Sequence, residues 1–71
     1  MLIIFDDSAS DFEDVHGIYV CGVSVNINYA TDQFMTRHFN TEAEARKAYN
    51  RIVDALIDDA RVCDLRGLAT C

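Results

Sequence analysis

The stretch GIYVCGVSVNINY, residues 17–29, decides how this chain folds. Its second half alternates hydrophobic with polar residues, which is typical of a β-strand with one buried and one solvent-exposed face. The hydrophobic set is Val23, Val25, Ile27 and Tyr29, and the polar set is Ser24, Asn26 and Asn28. The alternation changes phase at Gly22, and a glycine inside a strand often marks a β-bulge. We therefore predict one long strand over residues 17–29 with a bulge at residues 21–22.

Two shorter β-prone segments flank this strand. Residues 2–5 are a continuous hydrophobic run that ends at two aspartates, which predicts a strand at about residues 1–6. Residues 34–39 alternate again, which predicts a third strand joined to the second by a hairpin connection over residues 30–33. The acidic residues 6–15 are expected to form a loop. In the third strand one side carries Phe34, Thr36 and His38.

A helix is predicted to begin after Thr41. The Thr41 hydroxyl can accept a hydrogen bond from the amide of Glu44, whose carboxylate can reach back to the amide of Thr41, as in a capping box. Small and hydrophobic residues then recur with a period of about 3.6. They are Ala45, Ala48, Tyr49, Ile52, Leu56, Ala60 and Cys63. Because Gly67 suits a C′ position, we predict a helix over about residues 42–66, with a break near residues 58–59 as the alternative.

This order of elements predicts a single α+β domain over residues 1–71. Its architecture would be a three-stranded antiparallel sheet followed by one long amphipathic helix packed on one face, βββα. The first two strands are hydrophobic on both faces, so the second face also needs a cover. A symmetric homodimer is the favoured cover. The alternative is that the acidic loop folds back, with Phe12 and Val15 packed against the sheet.

Charge is distributed unevenly along the chain. There are 12 acidic and 6 basic residues, the net charge is −6, and the first basic residue is Arg37. Five carboxylates fall within residues 6–14, and like charges so close together repel one another unless a cation is near. This acidic balance argues against direct binding to nucleic acids or to anionic membranes. It favours a partner with a basic surface.

Catalytic and metal-binding patterns are weak. The spacing of histidines and cysteines fits no zinc motif, and the acidic loop lacks the ligand order of an EF-hand. No nucleophile, base and oxyanion site can be assembled from named residues, so we expect neither an enzyme nor a cofactor. The number and spacing of the three cysteines suggest no set of disulfide bonds, and no signal peptide is evident. Both observations favour a reduced, cytoplasmic protein.

The segment Phe39-Asn40-Thr41-Glu42-Ala43-Glu44-Ala45 leads from the third strand into the helix. Together with the small size, the acidity and the layout, it resembles small phage and mobile-element proteins, some anti-CRISPR proteins among them. That resemblance implies stoichiometric binding to host machinery, with acidic members covering surfaces meant for nucleic acid. No functional residue is carried over from it.

Three functional hypotheses follow. The first is a non-enzymatic inhibitor that occludes a basic nucleic-acid-binding surface of a host protein, such as a CRISPR effector. Its partner-binding residues would be Asp6, Asp7, Asp11, Phe12, Glu13 and Asp14. This hypothesis requires that Arg37, Arg46 and Lys47 do not cover those carboxylates.

The second hypothesis is a dimeric interaction or regulatory module that works through its sheet face, while the acidic loop maintains solubility. The third is a protein that sequesters a small ligand in a pocket at the dimer seam. Its lining would be Tyr19, Asn26, Asn28 and His38.

Overall fold

The computed structural model describes residues 1–67. In chain order its elements are β1 (Leu2–Ile4), β2 (Ala9–Asp11), β3 (Gly17–Cys21), β4 (Ser24–Tyr29), β5 (Gln33–His38), α1 (Glu42–Ile57) and β6 (Val62–Asp64). The strands form two three-stranded sheets, ordered β2–β1–β6 and β3–β4–β5. The α+β class is therefore confirmed, whereas the prediction of one three-stranded sheet is corrected to two sheets.

The predicted long strand over residues 17–29 is in fact a hairpin. Cys21 pairs with Ser24, so Gly22 and Val23 form a two-residue turn where a bulge was predicted. Gly22 has a φ of +58°, and a positive φ at the first central position is the requirement of a type II′ turn. The reversal explains the change of phase, because it brings the hydrophobic residues of β3 beside those of β4. The pairs are Ile18 with Ile27 and Val20 with Val25.

The hairpin between β4 and β5 is confirmed. Tyr29 pairs with Gln33, and the three residues between them form the loop. Ala30 and Asp32 have φ values of 51° and 61°, so two non-glycine residues take the left-handed conformation there. This is why the loop can be tight although it contains no glycine.

The acidic segment predicted to be a loop contains a strand. β2 pairs antiparallel with β1, and the amide of Phe5 donates to the carbonyl of Ser8 at 2.7 Å. Asp6 and Asp7 are therefore the two central residues of a tight turn. The ladder continues past β2, since the amide of Phe12 donates to the carbonyl of Met1.

The helix begins where the sequence predicted. The Thr41 hydroxyl accepts from the amide of Glu44 at 3.2 Å. The Glu44 carboxylate accepts from the amide of Asn40, one residue earlier than the predicted capping box would place this bond. The buried residues of α1 are Glu44, Ala45, Ala48 and Ile52, and the last three belong to the predicted stripe.

The predicted end of the helix at about residue 66 is wrong, and the alternative break near residues 58–59 is what the structure shows. Asp59 has a φ of 55°, its amide donates to the carbonyl of Leu56, and the amide of Ala60 donates to the carbonyl of Ala55. Those two bonds are the pair that defines a Schellman motif. Asp59 therefore occupies the C′ position predicted for Gly67.

The chain after the helix returns to the first sheet. β6 runs parallel to β1, with Ile3 opposite Cys63. Cys63 is consequently a buried strand residue and not part of the helix stripe. The predicted domain extends to residue 71, and its last four residues lie outside the described part of the chain.

The core lies among the two sheets and the helix. α1 packs mainly on β3, β4 and β6. The buried hydrophobic residues are Ile3, Phe5, Phe12, Val25, Ile27, Ala45, Ala48, Ile52, Cys63 and Leu65. Phe12 meets Tyr29 edge-to-face, with ring centroids 4.7 Å apart. Val15 also packs against this core, so the acidic segment folds back onto the protein. It joins the core, however, and does not cover the second face of the β3–β4–β5 sheet as the alternative expected, since Tyr19 and Phe34 are exposed there.

Candidate interaction surface

One face of the β3–β4–β5 sheet points away from the core, and we call it the outer sheet face. Its residues form three rows across the strands: Cys21, Ser24 and His38; Tyr19, Asn26 and Thr36; Gly17, Asn28 and Phe34. The alternate residues of β4, Val25 and Ile27, point inward and are fully buried. The period of two that buries these residues therefore also sets which side chains form the outer face.

Hydrogen bonds organise two of these rows. In the first row the Ser24 hydroxyl and His38 Nδ1 lie 2.8 Å apart. In the second row the Thr36 hydroxyl donates to Asn26 Oδ1. These polar side chains therefore have partners within the sheet, so covering them with another molecule would cost less than burying unpaired polar groups.

Two aromatic side chains stand on this face. Tyr19 is 57% exposed and Phe34 is 71% exposed. A methyl group on Gly17 would sit 3.2 Å from both the Tyr19 hydroxyl and Asn28 Nδ2. The missing side chain at Gly17 thus provides the space in which the Tyr19 hydroxyl and the Asn28 amide lie.

The outer sheet face carries no carboxylate and no lysine or arginine, although the chain has 12 acidic residues and 6 lysines or arginines. All four residues of the ligand-pocket hypothesis lie on it: Tyr19, Asn26, Asn28 and His38. Phe34 and Thr36 also belong to this face and were not assigned to a site. The sequence did contain their signal, because the alternation in residues 34–39 puts them on the same side as His38.

The carboxylates of the acidic segment are not all free. Asp7 forms a salt bridge with Arg37, and the hydrogen bond from this guanidinium lowers the pKa of Asp7. Asp11 Oδ1 lies 3.3 Å from the amino group of Met1. Asp6 Oδ1 accepts from the amide of Gly67 at 2.9 Å. Three of the predicted partner-binding carboxylates are therefore engaged within the chain.

Arg37 links the two sheets at this point. Its guanidinium carbon lies 4.5 Å from the centre of the Phe5 ring while the same group reaches Asp7. Of the three cations that the inhibitor hypothesis required to lie away from the acidic segment, Arg37 therefore covers one carboxylate, that of Asp7. The repulsion inferred from the sequence is thus reduced by a cation thirty positions away.

The remaining members of the predicted partner-binding site are one buried residue and two exposed residues. Phe12 is only 3% exposed, so it belongs to the core and the prediction that it contacts a partner is corrected. Glu13 and Asp14 are exposed, and within residues 1–67 their side chains make no hydrogen bond or ion pair. A cavity of about 330 Å³ lies beside Asp14, lined also by Met1, Phe12, Val15, Leu56, Asp59 and Ala60.

The cysteines and the potential metal ligands of the described chain do not form a cluster. Cys21 is exposed, and burial raises the pKa of the Cys63 thiol. Among residues 1–67 no group of three or more histidine, cysteine, aspartate or glutamate side chains is placed to hold a metal ion. In the same part of the chain, no helix has the length and hydrophobicity needed to cross a membrane.

The outer sheet face therefore has no formally charged side chain and carries two exposed aromatic rings. Comparison of the chain with protein-family models, with curated proteins and with solved structures found no match.

Proposed function

We propose that the chain is a non-enzymatic protein-interaction module whose working surface is the outer sheet face. The observation that carries this proposal is the pair of exposed aromatic rings, Tyr19 and Phe34, on a face without formal charge. The centres of protein interfaces are enriched in aromatic residues and depleted in charged ones. Two pairs of polar side chains on this face, Ser24 with His38 and Thr36 with Asn26, are already hydrogen-bonded, which lowers the cost of removing water from them.

The experiment replaces an exposed hydrophobic side chain by serine at two different places on the surface. Phe34→Ser removes a ring from the outer face, and Ile57→Ser removes a side chain that is 75% exposed at the end of α1. Tagged protein is used to capture partners from a bacterial lysate, and the captured proteins are identified for each variant. We expect Phe34→Ser to lose a partner that both the wild type and Ile57→Ser retain.

A double variant, Tyr19→Ser with Phe34→Ser, provides the stricter form of this test. Both residues are exposed, so each substitution should leave stability within about 0.5 kcal/mol of the wild type. If the folded double variant keeps every wild-type partner at wild-type affinity, the outer sheet face is not the working surface.

The acidic inhibitor is the second candidate function. The observation that favours it is that Glu13 and Asp14 are exposed and form no ion pair within residues 1–67, whereas the other carboxylates of the segment are engaged. A basic surface on a host protein, such as a CRISPR effector, would fit them. This candidate predicts that Glu13→Gln with Asp14→Asn, or high salt, releases the partner, while Phe34→Ser does not.

A further inference from the structure

β5 is the longest free edge in the described sheets. It has six residues and pairs with β4 on one side only. The other edge of this sheet, β3, has five residues, and both edges of the first sheet have three. Exposed edge strands are templates for pairing with another chain, and proteins usually protect them with lysine, proline or bulges. β5 contains neither lysine nor proline, and its one arginine, Arg37, points to the inner side and pairs with Asp7.

The hydrogen-bond pattern shows which backbone groups of β5 face outward. The amide of Phe39 donates to the carbonyl of Val23 at 2.8 Å, which makes this a hydrogen-bonded pair in the register of β4 with β5. Such pairs alternate along an antiparallel ladder, so Met35 and Arg37 also bond to β4. The backbone groups of the residues between them therefore point to the free edge. These are Phe34, Thr36 and His38.

We infer that two copies of this chain pair antiparallel through β5, with Thr36 opposite Thr36 of the partner subunit. In this register all three outward-facing residues lie in hydrogen-bonded pairs, which gives about six new backbone hydrogen bonds. Shifting either copy by two residues would leave at least one of the three without a partner inside β5. A two-fold axis through position 36 is thus the symmetric register that uses the whole edge.

The side chains brought together by this register are complementary. Thr36 faces its own copy, and threonine pairs are favourable across antiparallel strands. Phe34 faces His38 of the partner subunit, which pairs two aromatic rings. On the inner side Arg37 faces Met35 of the partner subunit, so the two arginines are not placed opposite one another.

Charge favours β5 over the acidic parts of the surface as the contact between two copies. Each copy has a net charge of −6, so two copies repel wherever their acidic surfaces approach. β5 contains no carboxylate, its one cation already pairs with Asp7, and the outer sheet face beside it is uncharged. Pairing through β5 would join the two outer sheet faces into one six-stranded surface. The inference therefore extends the proposed function while depending on a different contact.

Disulfide trapping tests the register. In a background of Cys21→Ser with Cys71→Ser, Thr36→Cys would place two sulfurs across a hydrogen-bonded pair, where Cα atoms are about 5.5 Å apart, within the range that a disulfide spans. Phe34→Cys is the matched control, because residues 34 of the two copies would be four positions apart, roughly 14 Å. We expect mild oxidation with diamide to dimerise Thr36→Cys and not Phe34→Cys. Equal yields at both positions, or no dimer at position 36, would overturn the inference.

Sedimentation equilibrium supplies the second measurement. We expect the wild type to reach twice the chain mass of 8.0 kDa as concentration rises. Thr36→Lys and Thr36→Glu each place like charges opposite one another, so each should weaken the dimer by about fivefold or more, and an equimolar mixture should restore it. Thr31→Lys, an equal charge change in the loop between β4 and β5, should dimerise like the wild type.

The dimer through β5 and the binding role of the outer sheet face can be refuted independently of one another. A wild-type chain that remains at 8.0 kDa at all concentrations overturns the dimer, while loss of partner capture by Phe34→Ser would still support the outer sheet face. If the wild type is monomeric and Thr36→Lys abolishes partner capture, the free edge takes an extended segment of a foreign protein, and the inference of self-pairing is wrong.

Discussion

The substitution Phe12→Ala tests whether Phe12 stabilises the core or serves only to contact a partner. The Phe12 ring is buried and meets Tyr29 edge-to-face. Truncating a buried phenylalanine to alanine costs about 3–5 kcal/mol through lost transfer free energy and the cavity left behind. A chain of 71 residues has a total stability of about 4–11 kcal/mol at typical values per residue. The substitution should therefore remove a large part of the stability.

Phe34→Ala is the matched control, since it makes the same chemical change at a ring that is 71% exposed. We expect it to change the free energy of unfolding by no more than about 0.5 kcal/mol. Urea denaturation followed by circular dichroism measures both variants against the wild type, with the slope of the transition as a check on two-state behaviour. Equal losses for the two variants, or a neutral Phe12→Ala, would show that our assignment of Phe12 to the core is mistaken.

Three further predictions concern the helix end, the glycine on the outer face and an exposed ion pair. Asp59→Gly should raise stability by roughly 0.5–1 kcal/mol in urea denaturation, because it relieves a left-handed residue and removes a negative charge from the C-terminal end of α1; a less stable variant would contradict this. Gly17→Ala should shift the NMR signal of the Asn28 side-chain amide with little change in the urea midpoint, since its methyl group would meet only the ends of flexible side chains. The hydrogen bond from Arg66 lowers the pKa of Asp64 to about 2, so its contribution to stability is present above about pH 4 and is lost as the pH falls towards 2. Urea midpoints over that range should fall less for Asp64→Asn than for the wild type, and identical slopes would refute the assignment.

The sequence predicted the elements that depend on local pattern. The alternation within residues 17–29 identified β4, its buried side and its polar side, and the capping residues Thr41 and Glu44 located the start of α1. It did not distinguish a bulge from a turn at Gly22, because a glycine suits both. Only the pairing of Cys21 with Ser24 decides between them, and that pairing is a contact between strands.

The helix end was missed because its signal is atypical. A left-handed C′ position usually holds glycine, and here it holds Asp59. The hydrophobic stripe also continues through Ala60 and Cys63, which the structure uses in a connection and in β6. A three-residue strand such as β6 is too short to show a period of its own, so its pairing with β1 could not be predicted from the sequence.

The distribution of charge along the chain is a poor guide to the distribution of charge on the surface. The first 36 residues contain no lysine or arginine, yet folding brings Arg37 to Asp7 and the amide of Gly67 to Asp6. Glu13 and Asp14, which form no ion pair in the described part of the chain, lie outside the outer sheet face. When the negative charges of a protein lie away from one face, an acidic partner is repelled less at that face than at the rest of the surface. For this reason the uncharged surface, and not the acidic segment, is where we place the function, and mutations there should change binding more than mutations of any single carboxylate.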